Sequence, residues 1–297
     1  MKLSTVLRRS TILPVIGAGV LLSSWMAADA APQRVEKHFT VKGRPVVVIR
    51  NIGNGRIEVK SWKNAEIVVT GTKASEKIAV ETEQAGDRID VTSRVVDPSA
   101  SASAKEMEAN FVLMVPEQTE LQLRTQTGLI YVEQVTGDMT LDSVAGDVHL
   151  KEVSGYIIVT TTGGSLVCTQ CGGKLEFSSI SGSAQVLQPS LSNVKLRTMT
   201  GNILFDGDFV HTGLYSMRSG KGLVEVRFSG SDSFDLNAQT ATGTVDNQAA
   251  EYLKPDSHGV KHMASKFSKS LFGTVGTGFA KVELSSYSGT IRILKRD

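Results

Sequence analysis

Hydrophobic and polar positions repeat every nine residues between residues 128 and 182. Counting from the glycine that opens each unit, the second and fourth positions are apolar in every unit, and a small residue precedes the next glycine. The glycines are Gly128, Gly137, Gly146, Gly155, Gly164, Gly173 and Gly182. Apolar residues two apart predict a β-strand with one buried face, and the small residues predict tight turns between strands.

The seventh position of each unit is also mostly apolar, and we expect it to lie in the core at a corner between strands. Its residues are Val135, Val144, Val153, Thr162, Cys171, Ile180 and Pro189. One unit cannot bury its apolar face alone, but stacked units form a continuous core. The sequence therefore predicts an all-β fold, a right-handed β-solenoid whose two nine-residue sides give coils of about eighteen residues. A three-sided coil and a flat antiparallel meander with glycine turns are the alternatives.

The same unit extends beyond the regular array in both directions. Gly55 is followed by Ile57 and Val59, and Gly289 is followed by Ile291 and Ile293. Alternating runs before the array predict further strands, at residues 46–49, 67–69, 78–82, 89–95, 111–115 and 121–125. We therefore expect residues 31–297 to form a single β-solenoid domain.

The first thirty residues have the order of a secretory signal peptide. Lys2, Arg8 and Arg9 precede an apolar run at residues 12–22, and residues 28–30 (ADA) offer a cleavage site before Ala31. This apolar run is too short for a comfortable transmembrane span, which needs about twenty residues. We expect an exported protein that is periplasmic, secreted or at the cell surface; an uncleaved anchor helix is the alternative.

Composition and charge indicate which class of binding partner is not expected. The chain of 297 residues is 40% hydrophobic and 21% charged, which is typical of a folded protein. The formal net charge of +2 comes entirely from residues 1–30, so residues 31–297 are neutral overall. Nucleic-acid-binding proteins usually carry a strong basic excess, and we therefore expect no nucleic-acid partner.

Acidic residues suggest two chemistries, neither of which the pattern favours. Calcium-binding β-rolls need an aspartate in every repeat, whereas only Asp138 and Asp147 directly follow a glycine of the array. The pair Asp206 and Asp208 is the best local carboxylate cluster, and polysaccharide-cleaving enzymes use two carboxylates at a controlled separation. Because no further partner residue stands out, we favour an acidic turn and expect no catalytic residue, no metal and no cofactor.

The two cysteines, Cys168 and Cys171, fall at the fourth and seventh positions of one unit. These positions are expected to face the core, so the pair is a candidate disulfide in an oxidising compartment, with two buried thiols as the alternative. Redox CxxC motifs open helices, and a zinc site needs further ligands. The histidine pair His258 and His262 lacks such ligands nearby and is interpreted as a surface pair.

Residues 257–272 interrupt the strand pattern. Val260, Met263, Ala264, Phe267 and Leu271 have helical spacing, and Lys261, Lys266 and Lys269 lie on the other faces. We expect a short amphipathic helix. It either caps the solenoid or makes a contact with an anionic surface through the three lysines. The cap is favoured because a terminal coil exposes sheet edges that need covering.

Several short motifs in a fixed order resemble a known family. They are residues 54–59 (NGRIEV) followed by Trp62, then Val115-Pro116, residues 123–128 (LRTQTG), residues 196–203 (LRTMTGNI) and residues 282–291 (VELSSYSGTI). From about residue 38 to the C-terminus the chain resembles a bacterial family of unknown function labelled "putative adhesin", akin to auto-transporter adhesin heads. The resemblance implies an exported β-solenoid with no established catalytic residues. The basic segment before the last coil departs from the smaller glycine-rich connection expected there.

These observations together favour a non-enzymatic protein of the cell envelope, an adhesin or scaffold of unknown ligand. Its partner is expected to be an envelope protein, a polysaccharide or a membrane surface. Two alternatives stay open. One is a polysaccharide-acting β-helix enzyme that uses Asp206 and Asp208. The other is a membrane-surface protein of the envelope-stress response that acts through residues 257–272.

Overall fold

The computed structural model describes residues 33–97, 103–254 and 267–296. Every helix-or-strand element among them is a β-strand, and the strands form two sheets that face each other across one core. Residues 31–297 form one compact unit. The predicted signal peptide and residues 257–266 of the predicted helix lie outside the described residues.

Seven strands form the N-terminal part of the solenoid. They are β1 (Gln33–Thr40), β2 (Val46–Asn51), β3 (Arg56–Trp62), β4 (Glu66–Lys73), β5 (Ile78–Ala85), β6 (Arg88–Val95) and β7 (Ala109–Pro116). One coil consists of β2 and β3, and a second coil of β6 and β7 packs on its outer side through parallel pairing. The antiparallel strands β1, β4 and β5 complete this end and cover the open edges of the outer coil.

Twelve strands then build six regular coils, each with one strand in either sheet. They are β8 (Glu120–Thr125), β9 (Leu129–Glu133), β10 (Met139–Ser143), β11 (Asp147–Lys151), β12 (Ser154–Thr161), β13 (Leu166–Thr169), β14 (Gly172–Ser179), β15 (Ala184–Leu187), β16 (Ser190–Thr198), β17 (Ile203–Asp206), β18 (Leu214–Ser219) and β19 (Val224–Phe228). Successive coils pair in parallel, with Leu121 opposite Met139 and Val148 opposite Leu166. The period of eighteen residues confirms the two-sided solenoid, and the three-sided coil and the flat meander are wrong.

The predicted alternation places the core as expected. From Ile130 to Val186, the residues at the second and fourth positions of the units are at most 2% exposed. They form continuous columns of apolar side chains between the two sheets, because the parallel register stacks like positions on one another. Burial of these columns supplies the main stabilising free energy of the fold.

The seventh position behaves differently at the two corners of a coil. After a strand of the sheet that contains β9, Gln134 adopts a left-handed φ of 58° and Val135 turns into the core. After a strand of the sheet that contains β10, the sixth residue is a buried or half-buried Ser or Thr, and the seventh residue points to solvent. Val144 and Ile180 are accordingly 53% and 54% exposed, so the prediction that they lie in the core is wrong.

The C-terminal part repeats the arrangement of the N-terminal end. Its strands are β20 (Phe234–Thr240), β21 (Thr244–Asn247), β22 (Phe267–Ser268), β23 (Ser270–Val275), β24 (Ala280–Ser286) and β25 (Thr290–Lys295). The last coil, β24 and β25, inserts between the coil of β18 and β19 and the coil of β20 and β21. At each end of the solenoid, the outermost coil is therefore not the first or the last coil along the chain.

The helix predicted over residues 257–272 is wrong for the part that the structure describes. Residues 267–268 and 270–275 are the strands β22 and β23, which pair antiparallel with β21 and β20. Unpaired backbone groups at the edges of the outer coil explain this, because pairing them in a sheet satisfies more hydrogen bonds than one exposed helical turn would.

Candidate functional site

Asp206 and Asp208, the carboxylates suggested by the enzyme hypothesis, lie at the end of β17 beside an open depression. Arg296 joins them: its Nη1 lies 3.4 Å from Asp206 Oδ1, and its Nη2 lies 2.5 Å from Asp208 Oδ1. Arg227 lies 3.6 Å from the other oxygen of Asp206. A glycosidase acid must hold a proton, usually beside an apolar wall or a second carboxylate. Here guanidinium groups contact both carboxylates, so the cluster is built as an ion-pair network.

This network continues across the same sheet face. Glu225, which is only 7% exposed, accepts from Arg227 at 2.6 Å and from Arg292 at 3.2 Å. Arg292 also reaches Asp246 at 3.2 Å. These contacts link β19, β25 and β21, and networked pairs stabilise a surface more than isolated pairs do. The network therefore joins the inserted last coil to its neighbours on both sides.

Asp138 and Asp147, the two aspartates that follow array glycines, bind backbone groups. Asp138 Oδ1 accepts from the backbone N–H of Tyr156 at 3.3 Å, and Asp147 Oδ1 accepts from that of Ser165 at 2.8 Å. Each carboxylate thus links one coil to the next. Within the described ranges, no group of three or more His, Cys, Asp or Glu residues is placed to hold a metal ion.

Cys168 and Cys171 are joined as a disulfide, and both are fully buried. Their Cα atoms lie 5.9 Å apart across the corner between β13 and β14, where Gln170 adopts a left-handed φ of 54°. A buried disulfide at a core corner presents no exposed sulfur for redox chemistry. Its geometry is that of a structural link.

Of the remaining residues singled out from the sequence, only Lys269 is among the described residues. His258, His262, Lys261 and Lys266 lie outside the described residues. Lys269 is exposed between β22 and β23, and its backbone carbonyl accepts from Thr240 N at 2.8 Å. Lys269 therefore lies on the outermost coil, at the corner where the strands of the sheet that contains β20 end in turns.

Those turns form one side of the solenoid, which we call the turn edge. Each turn begins with a Ser or Thr, which is buried in every turn except that of the half-buried Ser179, and ends three residues later in Gly. The residue after this Ser or Thr is the tip. In stacking order the tips are Gln126, Val144, Thr162, Ile180, Met199, Gly220, Tyr287 and Ala241. Four of them are large exposed apolar side chains: Val144 (53%), Ile180 (54%), Met199 (63%) and Tyr287 (66%).

The turn edge is rigid because every turn is hydrogen-bonded both within itself and to its neighbours. Within six of the eight turns, the hydroxyl accepts from the glycine N–H, as Ser179 does from Gly182 and Ser219 from Gly222, each at 2.8 Å. The hydroxyls of Thr125 and Thr161 instead donate to backbone carbonyls of their own turns. Between turns, backbone bonds run from coil to coil, for example from Met199 N to Ile180 O at 3.1 Å. The tips are therefore presented on a fixed backbone.

Charge is distributed unevenly along the turn edge. Arg197 and Arg218 occupy the last outward positions of β16 and β18, and Lys221 lies in the next turn; all three are exposed. Arg218 has Glu283 at 3.6 Å, whereas the side chains of Arg197, Lys221 and Lys269 have no ion-pair partner among the described residues. At the other end, Asp142 and Asp147 lie on the two sides of Val144.

Sequence reasoning missed the turn edge because it assigned the seventh-position residues to the core. The signal that identifies it is the spacing Ser/Thr-x-x-Gly, since a hydroxyl at the sixth position fills the corner and turns the next side chain outward. The sequence contains this spacing, but the apolar pattern alone does not indicate that the side chain after the hydroxyl residue points to solvent.

The chain is similar to a known protein family and to several solved structures. Residues 48–294 match the family model described as Toastrack DUF4097. A "putative adhesin" of Bacteroides fragilis is similar at 11% identity and a TM-score of 0.48, with 88% of this chain and 97% of that chain covered. A "putative cell adhesion protein" of Clostridium sporogenes is similar at 10% identity and a TM-score of 0.31, with 89% and 100% covered.

A "putative lipid binding protein" of Parabacteroides distasonis is similar at 10% identity and a TM-score of 0.31, with 89% of this chain and 97% of that chain covered. The search of curated proteins finds no match. No helix among the described residues is long and apolar enough to cross a membrane. Because the family model spans most of the chain, including all the regular coils, the chain belongs to the Toastrack DUF4097 family.

Proposed function

We propose that this protein is a non-enzymatic module of the cell envelope, an adhesin or scaffold that binds its partner along the turn edge. The observation that carries the proposal is the row of exposed apolar tips at Val144, Ile180, Met199 and Tyr287. Large apolar side chains that are exposed along one side of a protein commonly take part in an interaction, and Ile180 and Met199 are direct neighbours here. The rigid hydrogen-bonded turns beneath them favour a fixed binding surface over a moving active-site loop.

The arrangement of charged groups supports a role without catalysis. The best carboxylate pair, Asp206 and Asp208, is bound by Arg296, and the neighbouring acids bind arginines as well. We expect no glycan cleavage by the purified protein on a broad panel of polysaccharides. Cleavage that disappears in Asp206→Ala or Asp208→Ala would establish the enzyme alternative instead.

Binding to isolated envelope fractions tests the proposed surface. Residues 31–297, which form one compact unit, are mixed with membranes and with cell-wall material and sedimented. The double variant Ile180→Ser, Met199→Ser should lose most of the bound protein, because both exposed side chains lose apolar area. Val112→Ser is the matched control, since Val112 is 42% exposed on an outer sheet face away from the turns. Equal binding by all three proteins would rule out the turn edge as the interaction surface.

Export is part of the proposal and rests on residues 1–30 of the sequence. When the full chain is expressed in a bacterial host, the mature protein should begin at Ala31 and be recovered outside the cytoplasm. N-terminal sequencing and cell fractionation measure both properties. An uncleaved chain that stays with the cytoplasmic fraction would contradict it.

A further inference from the structure

The half of the turn edge from Ile180 to Lys269 combines apolar and cationic groups in one line. Ile180, Met199, Gly220 and Tyr287 are successive tips, so Ile180 and Tyr287 are separated by about 14 Å at the usual strand spacing of about 4.8 Å. The tips project side by side from consecutive turns of the stack. Side chains in such a row suit a planar partner better than a ligand that needs enclosure.

The positions that flank this half on both sides lack carboxylates. On one side, the last outward positions of successive strands are Ser178, Arg197, Arg218, Ser285 and Gln239. On the other side, the residues that follow the turn glycines are Ser183, Asn202, Leu223, Thr290 and Thr244. Lys221 and Lys269 add two more cations along the row. An anionic partner would therefore meet four cations, of which Arg218 is paired with Glu283 at 3.6 Å.

The other half of the turn edge has a different charge. Val144 is as exposed as Ile180, but it lies between Asp142 and Asp147, and Arg124 lies beside Asp142 in the adjacent coil. Two carboxylates against one cation leave this place with a net negative charge, which disfavours an anionic surface. Val144 and Ile180 are thus similarly exposed aliphatic side chains in surroundings of different charge. Substitutions at the two positions therefore separate a charge-dependent contact from a purely apolar one.

Resting on the proposed function, we infer that the partner of this half of the turn edge is the surface of an anionic lipid bilayer. Ile180 and Met199 enter the boundary between headgroups and acyl chains. Tyr287 places an apolar ring and a polar hydroxyl at the same level, as tyrosines at membrane interfaces do. Arg197, Arg218, Lys221 and Lys269 contact lipid phosphates and set the preference for negative charge.

Each basic side chain close to an anionic leaflet strengthens binding by about fivefold, and the attraction decays within the Debye length of about 8 Å at physiological salt. The four cations are therefore sufficient to make vesicle binding depend strongly on both lipid charge and salt. Apolar contacts from three side chains alone would give weak binding that salt scarcely alters.

Vesicle sedimentation tests the inference with residues 31–297. The probes are vesicles of phosphatidylcholine alone and vesicles of equal parts phosphatidylcholine and phosphatidylglycerol. We expect binding to the mixed vesicles only, and we expect it to weaken as salt rises. Equal binding to both vesicles, or binding to neither, would overturn the inference.

Variants locate the contact. Arg197→Glu, Arg218→Glu should reduce binding to the mixed vesicles by at least about 25-fold, because two attractions are each replaced by a repulsion. Ile180→Ser should reduce it markedly, whereas Val144→Ser, at nearly the same exposure in the acidic half, should change it by less than about twofold. An equal loss in Ile180→Ser and Val144→Ser, or no loss in the arginine variant, would contradict the assigned half.

A spectroscopic readout tests insertion directly. In Met199→Trp, the indole emission should shift to shorter wavelength on the mixed vesicles, whereas in Val144→Trp it should not. Circular dichroism and thermal unfolding confirm that these surface variants fold. If no variant binds the vesicles but envelope fractions still retain the protein through the turn edge, the lipid inference fails. The proposed function then stands, with a protein or polysaccharide as partner.

Discussion

A Cβ atom on Gly182 would overlap the backbone carbonyl oxygen of Gly164, its neighbour in the preceding coil. The same relationship runs along the stack, since each turn glycine faces a backbone carbonyl of the adjacent coil, which belongs to Ala109 for Gly55 and to a glycine for the others. The column comprises Gly55, Gly128, Gly146, Gly164, Gly182, Gly201, Gly222, Gly289 and Gly243. Side-chain rotation cannot relieve a clash with backbone, so glycine at these positions is a requirement of stacking.

Gly182→Ala should therefore lower the free energy of unfolding by about 3 kcal/mol or more, because the two coils must separate locally. Gly163→Ala is the matched control from the same row of turns. Its added Cβ atom would meet nothing closer than Ser181 Oγ at 3.6 Å, so its effect should stay within about 1 kcal/mol. Urea unfolding of the two variants measures the difference, and equal stabilities would contradict the close contact.

The buried hydroxyl of Tyr215 connects three segments at the corner opposite the turn edge. It donates to Leu191 O at 2.6 Å and accepts from Val210 N at 2.8 Å. Tyr215→Phe leaves both backbone groups without this partner and should lower the free energy of unfolding by about 1–3 kcal/mol. A stability unchanged from wild type would show that water replaces the hydroxyl.

The same residue gives a specific pH dependence. Burial raises the pKa of Tyr215 from its ordinary value of 10 to about 12. The folded state therefore keeps a proton that the unfolded chain releases above pH 10. The stabilising contribution is complete below pH 10, and it decreases by up to about 3 kcal/mol as the pH rises from 10 to about 12. Tyr215→Phe lacks this decrease, so the difference between the two unfolding curves isolates it.

The disulfide between Cys168 and Cys171 should be present in the exported protein, and labelling of the denatured, unreduced protein should find no free thiol. The bond closes a loop of only four residues, so chain entropy predicts a stabilisation of about 2 kcal/mol. Denaturant unfolding before and after reduction measures it. A much larger loss on reduction would show that the bond also holds the packing of the adjacent coils.

Gln188 tests the strain at the corner opposite the turn edge. Its φ of 49° is in the left-handed region, where glycine is favoured and β-branched residues are strongly disfavoured. Gln188→Gly should raise the free energy of unfolding by up to about 1 kcal/mol, whereas Gln188→Val should lower it by about 1–2 kcal/mol. The same order is expected at Gln134, and the reverse order at either position would contradict the described backbone.

The nine-residue pattern was enough to predict the coils and their core because burial in a parallel stack depends on strict alternation. Ile130 and Leu166, for example, lie in one buried column as the pattern requires. The two corners could not be distinguished by hydrophobicity, since Val135 and Val144 occupy equivalent places in the repeat. The sixth residue decides between them: a left-handed Gln134 turns the chain inward, and a buried Ser143 hydroxyl turns it outward.

The order of the coils at the ends could not be predicted either. The local hydrophobic pattern indicates that β24 and β25 form one coil. It does not indicate where that coil lies in the stack, which is determined by long-range pairing with β18 and β19. The strands β22 and β23 could not be predicted for the same reason. The apolar residues there have helical spacing, but pairing with the sheet edges at β21 and β20 outweighs it.

The insertion of the last coil between two coils made earlier in the chain has a consequence for how the family can vary in length. Both ends are closed by an outer coil and antiparallel strands, so coils cannot simply be added at either terminus without undoing that closure. Eighteen-residue coils can instead be gained or lost between β9 and β18, each changing the solenoid by about 4.8 Å. The stack can thus change in length at its middle while both closed ends are kept.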